Sequence, residues 1–279
     1  MMHSTAKVVT GVDTHAHIFQ RDLPLVEGRR YSPDYDAKVE TYLAHLDRCG
    51  LSHGVLVQPS FLGTDNDYLV AALRRYPERL RGTAVVEPTI SAAALDALDA
   101  AGVVSVRLNL IGKALDDYAA APWQRFFTEL ARRRWSVEIQ RGMEDLDDVV
   151  APILGAGCDV VIDHFGLPGG EIDPVNPAHR ALLSRLAHQP LWVKLSATYR
   201  SRSSLDQASR SIERLRDAYG HSENLLWGSD WPHTRFEADT DYDAQFALLE
   251  KLLPDPQERR QVLVDNPARL FRIALGGDA

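Results

Sequence analysis

Eight short segments rich in Val, Ile and Leu recur along the chain, each followed by a stretch with helical periodicity. They span residues 8–18, 53–60, 80–88, 103–110, 135–141, 158–166, 191–197 and 225–232. Each has the length of a buried strand and ends in polar residues or Gly/Pro. Between them, runs such as VETYLAHLDRCG, DNDYLVAALRRYP and WQRFFTELARRR place apolar side chains three and four positions apart. AALDALDAAG and LDDVVAPILGAG close on glycine, a helix stop signal. Strict alternation of this kind requires parallel strands joined by right-handed crossovers. Eight units close into an α/β (β/α)8 TIM barrel, which takes about 250 residues, and the chain has 279. The competing arrangement is a doubly wound open sheet. No low-complexity tract or Gly/Ser linker interrupts the pattern, so one domain over residues 1–279 is expected.

With 45% hydrophobic and 25% charged residues, the chain needs no staples to build a core. A formal net charge of -8 and the lack of a basic stripe speak against a nucleic-acid partner. A small anion stays open, because a local arginine cluster can bind one inside an acidic protein. Cys49 and Cys158 form no CxxC pair and read as reduced thiols. The opening residues lack the apolar core of a signal peptide, and no window reaches the ~18 apolar residues of a membrane span. The expectation is a cytoplasmic protein acting on a small molecule, as a monomer or as a homodimer through its outer helices.

Strand residues two apart share a face. Asp13, His15 and His17 therefore run out of the first segment towards the barrel mouth, where two imidazoles can ligate a metal or hydrogen-bond an anion. The sixth segment ends in IDHFG and sets His164 on the same rim. The eighth reads WGSDWPH and sets Asp230 there, with small residues that permit close approach and Pro232 to stop the strand. Each residue alone could be structural. Of ten histidines, only His15, His17 and His164 fall at segment ends on the mouth side, and four polar residues on three rims are hard to assign to packing.

Arg107 and Asn109 share a face of the fourth segment, and a guanidinium fork suits a carboxylate. The alternative for Arg107 is a structural pair with Glu87 or Glu138. Gln140 at the end of the fifth segment, Lys113 after the fourth and Arg200 after the seventh complete the candidate substrate contacts. For Lys113 and Arg200 the alternative is plain solvation. The longest irregular insert, FQRDLPLVEGRRYSPDYD, follows the first segment and can cover the mouth as a lid, bringing Tyr35 with it. Asp163 is expected to face the helices or a backbone donor. Trp231 and Phe165 read as packing or pocket wall, and Trp123, Phe126 and Phe127 as helix core.

The blocks GVDTHAHIF, YSPDYDA, VRLNLIGK, VIDHFGLP, VKLSA, WGSDWPH and DNPARLF cover nearly the whole chain in order. They resemble the amidohydrolase superfamily and, within it, the 2-pyrone-4,6-dicarboxylate lactonase branch. The resemblance implies a distorted (β/α)8 barrel that hydrolyses a lactone. It further implies that Asp230 activates the attacking water, while His15, His17 and His164 hold either a metal or the substrate carbonyl. Many superfamily members bind zinc through the residues matching His15, His17 and Asp230, usually with a histidine or modified lysine from the fourth or fifth strand. Here those strands carry Arg107 and Asn109, then Glu138 and Gln140. A guanidinium beside a divalent cation is unfavourable, and the lactonase branch is understood to work without metal. No cofactor is therefore favoured. Zinc on His15, His17 and Asp230 is the alternative, and Glu138 is the residue that would reverse the choice.

One departure bears on the substrate. Leu167 stands where the branch carries an arginine, and Lys113 where it tends to carry a basic pair. Fewer fixed cations imply a lactone with one carboxylate, or a sugar-derived or neutral one. Two other readings compete: a zinc-dependent hydrolase or decarboxylase of the same superfamily, and a non-catalytic barrel that only binds. Gln140 replaces a histidine that decarboxylases tend to carry. Burying four unused polar residues would cost stability, which counts against the inert barrel.

Overall fold

The computed structural model describes residues 8–186 and 188–276; the remainder of the 1–279 span, including the first seven residues, lies outside the described residues. All eight segments form strands: β1 (Val12–Ala16), β2 (His53–Val57), β3 (Leu80–Ala84), β4 (Val103–Asn109), β5 (Ser136–Gln140), β6 (Val160–Ile162), β7 (Leu191–Leu195) and β8 (Leu225–Trp227). Neighbours pair in parallel in sequence order. The ends meet just past β8. Asp230 N donates to His15 O at 2.8 Å and His17 N to Trp231 O at 2.7 Å, with a parallel bridge between Ala16 and Trp231. This nearly closed ring is the expected (β/α)8 barrel, and it excludes the open sheet. A Cβ on Gly228 would lie 2.5 Å from that of His15, so only glycine lets the two closing segments come this near.

The strands are shorter than the segments that announce them, and outside the first and fifth most of the loss falls at their mouth ends. The sixth segment keeps three of nine residues in the ladder. His164, Phe165 and Asp230 have φ of 54°, 58° and 60°. A side chain with a Cβ rarely adopts that conformation, and it cannot continue a strand. Strained backbone of this kind persists where surrounding contacts over-determine it.

The amphipathic runs form the outer ring: α1 (Val39–Arg48), α2 (Asp67–Arg75), α3 (Ala92–Ala100), α4 (Ala121–Arg132), α5 (Leu146–Gly155), α6 (Pro177–Leu186), α7 (Leu205–Tyr219) and α8 (Tyr242–Leu252). Their caps follow the sequence. Ser204 and Gln207 make a reciprocal capping box on α7, which ends on Gly220 at φ 74°. On α4, Phe126 and Phe127 are buried, and Trp123 stacks on Phe127 at 5.5 Å. The layer between strands and helices is mainly apolar, as in Leu56, Leu73, Val137 and Ile139.

Inside the barrel the residues are different in kind. Barrel interiors are filled by layers of side chains from alternate strands, mostly branched and apolar. Here the layer from the odd strands is His15, Thr83, Glu138 and Lys194, all fully buried. Lys194 Nζ donates to Glu138 Oε2 at 2.7 Å, and Thr83 Oγ1 to Glu138 Oε1 at 2.8 Å. This charged layer is the floor on which the mouth residues stand.

Asp13 departs from the two-residue alternation. The β1–β2 register slips by one residue between Asp13 and Ala16, which breaks the parity with His15. The Asp13 carboxylate accepts from Ser229 Oγ at 2.6 Å and from the hydroxyl of Tyr242 on α8 at 3.1 Å. It ties the barrel seam to the helices and takes no place in the mouth.

Candidate active site

Three imidazoles and one carboxylate converge at the C-terminal rim. Asp230 Oδ1 lies 3.7 Å from Nε2 of His15, 3.7 Å from Nε2 of His17 and 3.9 Å from Nε2 of His164. All four residues are buried. Among the described residues, His15 Nε2, His164 Nε2 and Asp230 Oδ1 find no hydrogen-bond partner. Buried polar atoms are rarely left so; His164 and Asp230, with His17, line a cavity of about 480 Å³, while His15 Nε2 approaches Asp230 without lining it.

The far side of each group is anchored. Asp230 Oδ2 accepts from the Tyr199 hydroxyl and from Arg200 Nε, both at 2.5 Å. His164 Nδ1 is 2.8 Å from Ser196 Oγ. His17 Nδ1 lies 2.7 Å from the carbonyl of Val57. A carbonyl only accepts, so the hydrogen of the neutral ring sits on Nδ1 and the Nε2 facing the cavity carries a lone pair. The expectation that all three histidines donate to the substrate therefore fails for His17.

Burial sets the charge states. It lowers His15 well below the ordinary histidine value, His17 to about 3 and His164 to about 4. For His17 the neighbouring Arg107 adds to the effect, while Asp230 opposes it. Burial alone would raise Asp230, but Arg200 and the three imidazoles outweigh it and hold the carboxyl well below the usual range. The rim therefore presents neutral imidazoles around one carboxylate.

Arg107, Asn109, Gln140, Arg200 and Leu167 all line the cavity. Arg107 is already engaged, and with neither carboxylate expected for it: Nε donates to Asp163 Oδ2 at 3.1 Å and Nη2 to Gln140 Oε1 at 2.9 Å. Asp163 accordingly points inward, away from the helices, because it balances Arg107 on one side and Lys194, at 3.4 Å, on the other. Burial would raise it, but Lys194, His15 and Arg107 together hold it well below the ordinary carboxylate value.

Lys113 and Tyr35 stand outside this cavity. Lys113 is exposed on a smaller neighbouring one of about 240 Å³, because its loop turns outwards, its carbonyl held by Arg141. Tyr35 packs on Phe19 and donates to Glu237 at 2.9 Å; the tyrosine of that loop that reaches the cavity is Tyr31.

The reading of few cations does not survive. Besides Arg107 and Arg200, the loops after β1, β7 and β8 bring Arg30, Arg202 and Arg235 to the mouth. Sequence reasoning also passed over Tyr199, Ser196 and Lys194. Only Lys194 left a signal, a charge in the middle of the buried run LWVKLSA. Among the described residues, two groups have the spacing to hold a metal ion: His15, His17 and Asp230, and His15, Asp163 and His164, with ligand atoms within 4.8 Å of one another. Glu138 belongs to neither. Among the described residues, no helix is long and apolar enough to cross a membrane.

The amidohydrolase family model matches residues 12–273, the whole barrel. The chain belongs to the amidohydrolase family. Among curated amidohydrolase relatives, a 4-sulfomuconolactone hydrolase of Rhizobium radiobacter is 31% identical, over 94% of this chain and 89% of that one. A 2-pyrone-4,6-dicarboxylate hydrolase of Comamonas testosteroni is 29% identical, over 93% and 89%. A crystal structure of a probable 2-pyrone-4,6-dicarboxylic acid hydrolase from Acinetobacter baumannii with citric acid bound superposes with a TM-score of 0.88. It is 37% identical, over 94% of this chain and 99% of that one.

Proposed function

We propose that this amidohydrolase opens the ring of an anionic lactone by water attack, with Asp230 as general base. The observation that carries the reading is the Asp230 Oδ1 that accepts nothing among the described residues, faced by three Nε2 atoms at the base of an arginine-lined cavity that His17, His164 and Asp230 line. Water poised there passes a proton to Asp230 as its oxygen bonds to the lactone carbonyl carbon. The carbonyl oxygen takes up the electron pair and accepts hydrogen bonds from His15 and His164. Collapse breaks the ring C–O bond, and the leaving oxygen recovers the proton from Asp230. Arg200 and Tyr199 hold Oδ2, which leaves Oδ1 directed at the water.

The substrate class follows from the mouth. Arg30, Arg202 and Arg235 form no ion pair among the described residues, and the like charges of Arg235, Arg107 and Arg200 add to burial in lowering Arg30. Such a cluster favours a ligand with more than one anionic group, a lactone dicarboxylate or a sulfonated one, over a neutral or sugar-derived lactone. The names of the relatives point the same way.

The metal groups have suitable spacing, but the charge balance does not fit a divalent cation. Glu138, Asp163 and Asp230 are already offset by Lys194, Arg107 and Arg200. An added ion would leave two uncompensated positive charges in a buried site. A metal therefore has no part in the proposed steps.

The test is hydrolysis of 2-pyrone-4,6-dicarboxylate, followed by loss of pyrone absorbance, and of 4-sulfomuconolactone, each with and without a chelator. Turnover that resists the chelator supports the reading. Turnover that stops with chelator and returns with zinc replaces it by a metal-dependent hydrolase. No turnover of either substrate rejects the substrate class.

A further inference from the structure

His15 and His17 lie two residues apart on β1, yet the two rings rest on opposite kinds of support. His17 Nδ1 faces a carbonyl that can only accept. His15 Nδ1 faces Lys194 Nζ at 3.1 Å, and Lys194, opposite Glu138 Oε2 at 2.7 Å, is an ammonium that can only donate. The one rival for His15 Nδ1 is Asp163 Oδ1, 3.3 Å away. That contact is the longer of the two, and the same oxygen lies 3.4 Å from Lys194 Nζ, which meets its charge. A neutral ring that accepts at Nδ1 carries its hydrogen on Nε2.

We infer that Lys194 is a positioning residue that locks His15 in the Nε2–H tautomer, opposite to His17, so that the pair offers one donor and one acceptor to the reacting atoms. The role in turnover rests on the lactone-hydrolase reading; the tautomers themselves do not. His15 Nε2–H then points at the position of the developing oxyanion. The lone pair of His17 Nε2 accepts one hydrogen of the attacking water, while Asp230 Oδ1 takes the other. Two acceptors fix the water's orientation, and one donor on the same strand marks where the carbonyl oxygen must lie. A donor at His17 as well would leave the water held by Asp230 alone. The arrangement also withdraws His15 from metal ligation, since a ring nitrogen that bears hydrogen has no lone pair to give.

Lys194 is fully buried and spans the barrel from β7 to β5 and β1. Nothing else in the charged layer can donate to His15 Nδ1: Glu138 is an acceptor committed to Lys194 and Thr83, and Arg107 is turned towards Asp163 and Gln140. Removing the lysine amine frees Nδ1 to take the hydrogen and give it to Asp163, which leaves a lone pair where the oxyanion needs a donor.

The experiment is a long-range 1H–15N correlation spectrum of chelator-treated, 15N-histidine-labelled enzyme, with His15→Asn and His17→Asn variants used for assignment. His15 should appear as Nε2–H and His17 as Nδ1–H; the same tautomer at both, or the reverse pair, overturns the inference. Lys194→Met should move His15 to Nδ1–H and lower kcat by about 10²–10³, with KM within about threefold. Lys194→Arg, which keeps a donor, should retain the wild-type His15 signal and restore part of kcat. An unchanged His15 tautomer in Lys194→Met overturns the role of the lysine. If Lys194→Met does not fold, the wild-type spectrum and Lys194→Arg decide the question. If the enzyme turns over no lactone, the proposed function fails while the tautomers are still read.

Discussion

The floor and the mouth of the cavity use charge in opposite ways. On the floor, Lys194, Arg107 and Arg200 each face a carboxylate; Lys194 and Arg107 are almost entirely shielded from water and Arg200 is half-buried. At the mouth, Arg30, Arg202 and Arg235 are exposed and form no ion pair among the described residues. Charge that is compensated within the protein serves to hold geometry, because each partner restricts the other. Charge without a protein partner remains available to a ligand. The comparison therefore separates residues that set the rate from residues that set affinity.

Replacing Asp230 by Asn is the most severe way to sharpen that separation. It removes the base while nearly preserving shape, and kcat should fall by about 10²–10⁴ with KM little changed. A fall in affinity alone would place Asp230 with the mouth. Next in size, Glu138→Ala should destabilise the fold by about 3–5 kcal/mol in denaturant titrations, since it leaves Lys194 charged, buried and half-paired. A change under about 1 kcal/mol would show that the floor does not depend on this pair.

At the mouth, Arg30→Ala or Arg235→Ala should raise KM for a dianionic lactone about tenfold, the effect of losing roughly 1.4 kcal/mol of binding, and leave kcat within about twofold. Higher salt should raise the wild-type KM in the same direction, because exposed charges are screened and buried ones are not. A mouth variant that lowers kcat without raising KM would break the comparison.

The smallest effect on turnover is its pH dependence, whereas stability responds strongly. His17, His164 and His233 titrate near 6.5 when unfolded, and burial lowers them to about 3, 4 and 4 in the fold. Between those values only the unfolded chain takes up protons. Stability should rise with pH from about 4 to 6.5 and be lost as pH falls through that window, by about 1.4 kcal/mol per histidine per pH unit. Thermal melts between pH 4 and 8 measure this. kcat should stay level from pH 8 to about 5, because the rim imidazoles are neutral and Asp230 is ionised throughout.

The barrel was legible because hydrophobic periodicity is a local property repeated eight times. Where the strands are regular, alternation also placed side chains correctly, as for Arg107, Asn109 and Gln140. It failed at Asp13, because a one-residue register slip reverses the face, and at Asp163, because an inward carboxylate at that place makes sense only beside Arg107 and Lys194. Those partners lie 56 and 31 residues away in the chain, so no window of sequence contains the reason. Leu167 misled for a related cause. A missing arginine at one position says nothing about arginines that three other loops carry to the same mouth.

By itself, the sequence determined the count and order of the strand–helix units, the family, and which rims carry His15, His17, His164 and Asp230. Those follow from periodicity and from motifs read along the chain. Only the tertiary structure decided which nitrogen of each histidine faces the cavity, which cations are already paired and which stay open to a ligand. Those properties belong to contacts across the barrel, and a hydrogen bond or an ion pair has no meaning until both partners are in place.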